Sequence, residues 1–171
     1  MLRRSKTDEG GGGAVPVEGA RILLVADDED AAITLTRFFE HRKLAVEHFT
    51  DLNEVLARVA SEAGTDLVLV DLHQGGTSQG LKLLEQIRSE SDPEAARTRL
   101  VMTTDIDENR MFSWQSGIDG FLVRPFHADE LLDAIVGALG RTDSERAAYR
   151  HEQMGRASDP RSRREAGEPL V

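Results

Sequence analysis

The chain of 171 residues contains no cysteine, one tryptophan and one tyrosine, and its only lysines are Lys6, Lys43 and Lys82. Without cysteine there is neither a disulfide framework nor a thiolate metal site. No apolar run approaches the roughly 20 residues that a membrane-spanning helix needs. The basic residues near the N-terminus have no apolar stretch behind them, so no secretory signal is legible. A soluble, cytoplasmic protein is the expectation. Positive charge is the scarcer sign, with 21 Lys and Arg against 31 Asp and Glu and a formal net charge of -10. Most of the acidic excess falls between residues 21 and 140. An acidic domain of that kind argues against direct binding to a nucleic-acid phosphate backbone. The group Arg161, Arg163 and Arg164 is too small and too mixed with acids to reverse this. No internal repeat is visible.

What is present divides into three stretches. Residues 1–20 include Gly10 to Gly13 and lack apolar periodicity, which predicts a flexible leader. Residues 21–140 hold nearly all the apolar runs and are long enough to bury a core. Residues 141–171 are rich in Arg, Ser, Glu and Pro and poor in bulky apolar residues, so they are expected to be disordered, with room for a short helix around Ser144 to Met154.

The middle stretch alternates two patterns. Short continuous apolar runs at 22–26, 67–70, 100–102 and 120–123, and a weaker one at 44–49, have the length and character of strands buried on both faces. Between them lie helical stripes: Ala31, Ala32, Leu35, Phe38 and Phe39; then Leu52, Val55, Leu56 and Val59, with Asp51 and Glu54 spaced as a capping box. Leu81, Leu83, Leu84 and Ile87 form a third, and Ile106, Met111, Phe112 and Trp114 a less regular fourth. Leu131, Leu132, Ile135, Val136 and Leu139 form the fifth, with Gly140 placed as a C-cap. Five strands each followed by a helix predict a doubly wound α/β domain with a parallel sheet and helices on both faces.

Ligands of open parallel sheets bind outside the carboxyl ends of the strands, where the strand order reverses. Asp27 and Asp28 end the first strand, Asp71 the third, Thr103 and Thr104 the fourth, and Arg124-Pro125 the fifth. In the order 2-1-3-4-5 the first and third strands are neighbours, so the three aspartates converge, with a hydroxyl and a cation on the far rim. Crowded carboxylates raise one another's pKa, a cost that a cation among them removes. Oxygen ligands with room for water suit magnesium. A carboxylate so placed can attack phosphorus and form an acyl phosphate.

The ordered pieces Ile22-Leu-Leu-Val-Ala-Asp-Asp-Glu-Asp30, Asp66-Leu-Val-Leu-Val-Asp-Leu72, Val101-Met-Thr103 and Gly117-Ile-Asp-Gly-Phe-Leu-Val-Arg-Pro-Phe126 resemble the receiver domain of bacterial two-component response regulators. The resemblance covers residues 20–140 and implies a flavodoxin-like five-stranded sheet. It implies Asp71 as phosphoacceptor, and Mg2+ held by Asp27, Asp28, Asp71 and the backbone carbonyl of His73. Thr103 takes the place of the hydroxyl that swings toward the phosphoryl group, and Phe121 that of the switching aromatic. The peptide bond before Pro125 is expected to be cis. The implied partners are a sensor histidine kinase or phosphotransfer protein, and a downstream protein target on the face of the fourth helix, fifth strand and fifth helix. The same face allows a homodimer. The implied chemistry is self-catalysed phosphoryl acceptance and hydrolysis, not that of an enzyme acting on other substrates. With no packed apolar segment after residue 140, a single-domain regulator is expected.

Three features depart from the family pattern. Arg124 stands where lysine is usual, and arginine's planar fork prefers bidentate contacts. The usual Met-Pro stretch after the phosphoacceptor is replaced by His73-Gln74-Gly75-Gly76-Thr77-Ser78-Gln79-Gly80. Thr104 stands where a small residue is usual, and a slip of one position would give it the hydroxyl role. Taken singly, the signals have plainer readings: Asp27 to Asp30 as acids at a helix N-terminus, Asp71 as a turn residue, Arg124 as a partner of a neighbouring acid. A P-loop is excluded because Leu81 stands where lysine is required after the Gly75 to Gly80 spacing. A phosphatase using Asp28 and Asp30 lacks its lysine. The alternative from a different class is a pseudo-receiver, a protein-binding module of the same fold that works without phosphorylation.

Overall fold

The structure is a computed structural model, and it describes residues 13–61, 64–73, 76–159 and 161. In chain order the elements are β1 (Arg21–Ala26), α1 (Glu29–Glu40), β2 (Ala45–Phe49), α2 (Leu52–Ala60), β3 (Leu67–Asp71), α3 (Gly76–Arg88), α4 (Pro93–Ala96), β4 (Arg99–Thr104), α5 (Arg110–Gln115), β5 (Gly120–Val123), α6 (Ala128–Gly140) and α7 (Asp143–Ser158). The five strands form one parallel sheet in the order β2-β1-β3-β4-β5. The alternating apolar runs predict the parallel sheet, and its order is the flavodoxin-like one that the family resemblance implies.

Those runs are continuous because both faces of the sheet are covered. Leu23, Val25, Val68, Val70, Leu100 and Met102 point to one side, against Val55 and Val59 of α2, Leu83, Leu84 and Ile87 of α3, and Trp114 of α5. Ile22, Leu24, Leu67, Leu69 and Val101 point to the other, against Ala32 and Phe39 of α1 and Leu131, Ile135 and Leu139 of α6. Each fully buried aliphatic side chain contributes about 1.5–3 kcal/mol. β2 is an edge strand, and Ala45, Glu47 and His48 on it are exposed, which accounts for its weaker apolar signal.

Local chemistry sets the helix ends. Asp28 caps α1, accepting from the Ala31 N–H at 2.9 Å, and Asp51 caps α2, accepting from the Asn53 N–H at 2.8 Å. α5 starts at Arg110, after Asn109 in the left-handed region at φ 65°, a conformation asparagine tolerates. Ile106 therefore lies before the helix, 53% exposed, and is not part of its apolar stripe. Gly140 is the last helical residue of α6, not a left-handed cap. The end of α6 is secured instead by the buried Arg99 of β4, whose guanidinium donates to the carbonyls of Ala138 (2.6 Å) and Arg141 (2.9 Å).

Two expectations about the termini need correction. Residues 1–12 of the expected leader lie outside the described residues, but residues 13–20 are tied to the domain. The Val15 N–H donates to the Leu139 carbonyl at 2.7 Å, and Val15 and Val17 pack on the α1/α6 side of the core. Of the expected disordered tail, residues 160 and 162–171 lie outside the described residues, whereas Asp143–Ser158 is a helix, longer than the short one expected around Ser144 to Met154, with a capping box between Thr142 and Glu145. α7 packs along α5. Tyr149 meets Trp114 edge-on with ring centroids 5.7 Å apart. Its order comes mainly from charge. Arg146, only 5% exposed, grips the buried Asp119 through Nε at 2.7 Å and Nη2 at 3.0 Å.

Candidate functional site at the carboxyl ends of β1, β3 and β4

The parallel register brings the predicted residues to one edge. Ala26 lies opposite Asp71, so Asp27 is the next residue along the neighbouring strand. Asp71 lies opposite Thr103, and Thr104 opposite Val123, which places Arg124 just beyond β5 at the same edge. Arg124-Pro125 is a cis peptide.

Asp71 is buried at 4% exposure as the last residue of β3. A buried carboxylate needs charge compensation or hydrogen bonds, and it has both. Its Oδ1 accepts from the Thr103 hydroxyl and from Nη2 of Arg124 in two short contacts. Nη2 of Arg124 also donates to Thr103 Oγ1 at 3.0 Å, and Nη1 reaches Asp105 at 3.1 Å. The fork of Arg124 thus spans two acids, one buried and one near the surface. The hydroxyl on Asp71 belongs to Thr103, not Thr104. Thr104 faces Thr77 of α3, with 3.0 Å between the hydroxyl oxygens, and accepts from the Ile106 N–H at 3.3 Å.

The other two acids sit close by but have separate duties. Asp27 binds His73: its Oδ2 accepts from the backbone N–H at 3.2 Å, and its Oδ1 lies 3.1 Å from Nδ1. Burial pushes the Asp27 carboxyl up, but the hydrogen bonds from His73 outweigh it and hold the group below its ordinary value. Asp28 turns its Oδ1 to the start of α1. Among the described residues no group of three His, Cys, Asp or Glu side chains is arranged around a metal position. Asp27, Asp28 and Asp71 each meet a different partner. They share an edge, but a helix N-terminus, a histidine and a guanidinium each hold one of them. The donor set itself, three carboxylates at adjoining strand ends with the His73 carbonyl in the next turn, is all hard oxygen and fits magnesium by its chemistry.

Phe121 of β5 is buried at 8% exposure, with the Arg110 guanidinium 5.1 Å from its ring centroid. Gln74 and Gly75 of the unusual loop lie outside the described residues.

Sequence reasoning missed a second charged centre at the opposite end of β5. Asp119, 3% exposed, accepts from the Leu100 N–H at 3.0 Å and from Arg146, Arg150 at 2.9 Å and Arg88 at 3.3 Å. Burial raises the Asp119 carboxyl, but Arg146, Arg150 and Arg88 together hold it below its ordinary value. Burial pulls Arg88 down to about 10 in spite of Asp119. The signal available in the sequence was the i, i+4 pair Arg146 and Arg150 flanking Tyr149, in a stretch otherwise read as disordered.

Fold and site together define a class: a doubly wound α/β domain with a buried acid at its switch point, faced by a hydroxyl and a cation. Residues 22–136 match the response regulator receiver domain, and the chain belongs to that family. It is 32% identical over 122 residues to the transcriptional regulatory protein ResD of Bacillus subtilis, covering 70% of this chain and 48% of ResD. The chain spans about half the length of the curated relatives it matches. The chemotaxis response regulator CheY4 of Vibrio cholerae superposes with a TM-score of 0.60 at 22% identity, over 71% of this chain and 99% of CheY4. The receiver domain of sensor histidine kinase PA1611 from Pseudomonas aeruginosa, which has a magnesium ion coordinated in its active site cleft, gives a TM-score of 0.60 at 19% identity, over 72% of this chain and 99% of that domain. Those two likenesses establish the fold. Among the described residues no helix is long and apolar enough to cross a membrane.

Proposed function

We propose that this receiver accepts a phosphoryl group on Asp71 from a phosphohistidine donor, a sensor histidine kinase or phosphotransfer protein, and passes the change to protein partners in the cytoplasm. The observation that carries this is the buried Asp71 carboxylate held jointly by Thr103 and Arg124 at the switch point of the sheet. In the reaction an Asp71 oxygen bonds to phosphorus, the phosphorus–nitrogen bond of the donor breaks, and the donor imidazole keeps the electron pair. Thr103 and Arg124 already point at the position where charge develops. Their O–H and N–H donors pass from the carboxylate to the phosphoryl oxygens. Asp27, Asp28, Asp71 and the His73 carbonyl would hold Mg2+, which supplies neutralisation of the phosphoryl charge. The receiver domain of PA1611, alike in fold, has a magnesium ion coordinated in its active site cleft, which supports that assignment. The partner face is the one built from α5, β5 and α6, which are the fourth predicted helix, fifth strand and fifth predicted helix, and it also serves for a homodimer. No substrate other than the chain's own aspartyl phosphate is turned over.

The test is incubation of the full chain with a small-molecule phosphodonor and magnesium, followed by peptide mass measurement. A phosphoryl mass on the peptide holding Asp71, absent in Asp71→Asn, is the expected result. A second reading has its own observation in favour: Arg124 is already closed on Asp71, and Asp28 is committed to a helix cap. No acyl phosphate, together with no Trp114 fluorescence response to beryllofluoride, would establish that reading, a pseudo-receiver binding its partners without phosphorylation.

A further inference from the structure

We propose that α7 is the resident, releasable ligand of the α5–β5–α6 face and is displaced when the Asp71 site changes state; the trigger, though not the residency, rests on the phosphoacceptor reading above. Three observations lead here.

α7 does not run on from α6. The chain turns at Arg141 and Thr142, and the new helix folds back onto α5. Arg146, Tyr149 and Arg150, at i, i+3 and i+4, form the docking stripe. The two arginines take Asp119, Arg150 also donates to the Ile118 carbonyl at 3.0 Å, and Tyr149 takes Trp114. Met154 adds a partly buried apolar contact, but most of α7 is polar or small, and an isolated helix of 16 residues with that composition is marginal in water. Its order therefore depends on a few contacts that can be lost together.

The fit is incomplete. Trp114 is 3% exposed, yet its Nε1 has no hydrogen-bond partner among the described residues. A cavity of about 270 Å³ remains beside it, bordered by Phe121 of β5, Glu130 and Asp133 of α6, and Tyr149 and Gln153 of α7. An orphaned buried donor and a void both lower the cost of leaving.

β5 connects the two ends. Asp119 immediately precedes the strand, Phe121 lies in it, and Arg124 immediately follows Val123. A shift of β5 that lets Arg124 follow a phosphoryl group also moves Asp119, the anchor of α7. The α5 side of the face that a partner would use is thereby covered in the resting state and freed by the same strand that senses Asp71.

Hydrogen exchange read by mass spectrometry on the full chain tests this in two arms. In Tyr149→Ala/Arg150→Gln, the amides of residues 146–158 are expected to exchange at least about tenfold faster while those of β1 and β3 keep their protection, with Trp114 emission moving to longer wavelength. Unchanged α7 protection in this variant, or loss of protection in α7 and the sheet together, would show that α7 is an integral part of the fold and overturn its residency. In the second arm, beryllofluoride with magnesium is expected to loosen the same α7 peptide in the wild-type chain. Fluorine NMR showing the adduct on a chain whose α7 stays protected overturns the coupling alone. No adduct at all overturns the phosphoacceptor reading and the trigger with it, leaving residency to the first arm.

Discussion

Asp119→Asn is the most informative single change, because it keeps the side-chain shape and removes one charge from a buried centre. The carboxylate holds three guanidinium groups, Arg88, Arg146 and Arg150, and the Leu100 N–H. Removing one partner of a buried ion pair costs about 3–5 kcal/mol, since the other charge stays buried without compensation. Here the arginines have further support. Arg88 donates to the carbonyls of Ala96, Thr98 and Gly117, and Arg146 to the carbonyl of Arg97 and to Asp143. The amide of the variant also keeps an acceptor for one of them, so the lower end, about 3 kcal/mol, is expected. At roughly 2–4 °C per kcal/mol for a chain of this size, the melting temperature should fall by about 6–12 °C. Thermal unfolding followed by far-ultraviolet circular dichroism measures this. The control is Arg156→Gln, whose pair with Glu152 is exposed and should change stability by less than about 0.5 kcal/mol. The effect also has a pH signature. Because Asp119 titrates below its ordinary value when folded, its stabilisation is present above about pH 3.9 and disappears as pH falls through the lowered value. Wild type and variant should therefore converge in acid. A melting-temperature drop of less than about 2 °C at neutral pH would refute the reasoning that Asp119 is a charge anchor.

Thr103→Val removes the hydroxyl donor on the buried Asp71 carboxylate, which should cost about 1–3 kcal/mol by urea unfolding and abolish the Trp114 response to beryllofluoride. Arg99→Met strips the donors from the Ala138 and Arg141 carbonyls at the end of α6; exchange of the last-turn amides of α6 should rise, and stability should fall by about 1–3 kcal/mol. Leu69→Ala, in the middle of β3 with no exposed surface, should lose about 2–5 kcal/mol in a urea titration with an unchanged slope.

The sheet was legible because burial on both faces leaves a direct trace. Leu67 to Val70 and Ile22 to Ala26 have no room for polar residues, so their apolar runs mark strands without an alternation to read. α1, α2, α3 and α6 showed through their stripes. α4 did not, because four residues carry no period, although Asp92 and Pro93 spell an N-cap followed by a first-turn proline. α7 was expected only as a short helix within a disordered stretch, and its docking was missed for a deeper reason. A compositional argument for disorder sums apolar residues, and α7 is held by ion pairs to a carboxylate in a distant part of the chain. The partner decides whether Arg146 is a solvated charge or an anchor, and Asp119 looked like one more residue before a strand. The site divides in the same way. Which residue ends which strand follows from the run lengths. Which acid meets which donor is a matter of side-chain torsions, and there Asp28 chose the helix terminus, Asp27 His73, and Asp71 the arginine.

The substitution of arginine for the usual lysine at position 124 gains meaning from Asp105. A lysine ammonium is a single point charge, whereas the two terminal nitrogens of Arg124 reach Asp71 and Asp105 at once. The two acids differ in what they ask of the cation. Asp71 is buried and its oxygens depend on partners within the protein, while Asp105 is half exposed and can be served by water. In the proposed phosphorylation of Asp71, Nη2 has a new oxygen to follow, and Nη1 can stay on Asp105 as a pivot. An arginine here therefore ties motion at the acid site to the loop between β4 and α5, the helix on which α7 rests, a linkage that a lysine reaching only one of the two acids would not make.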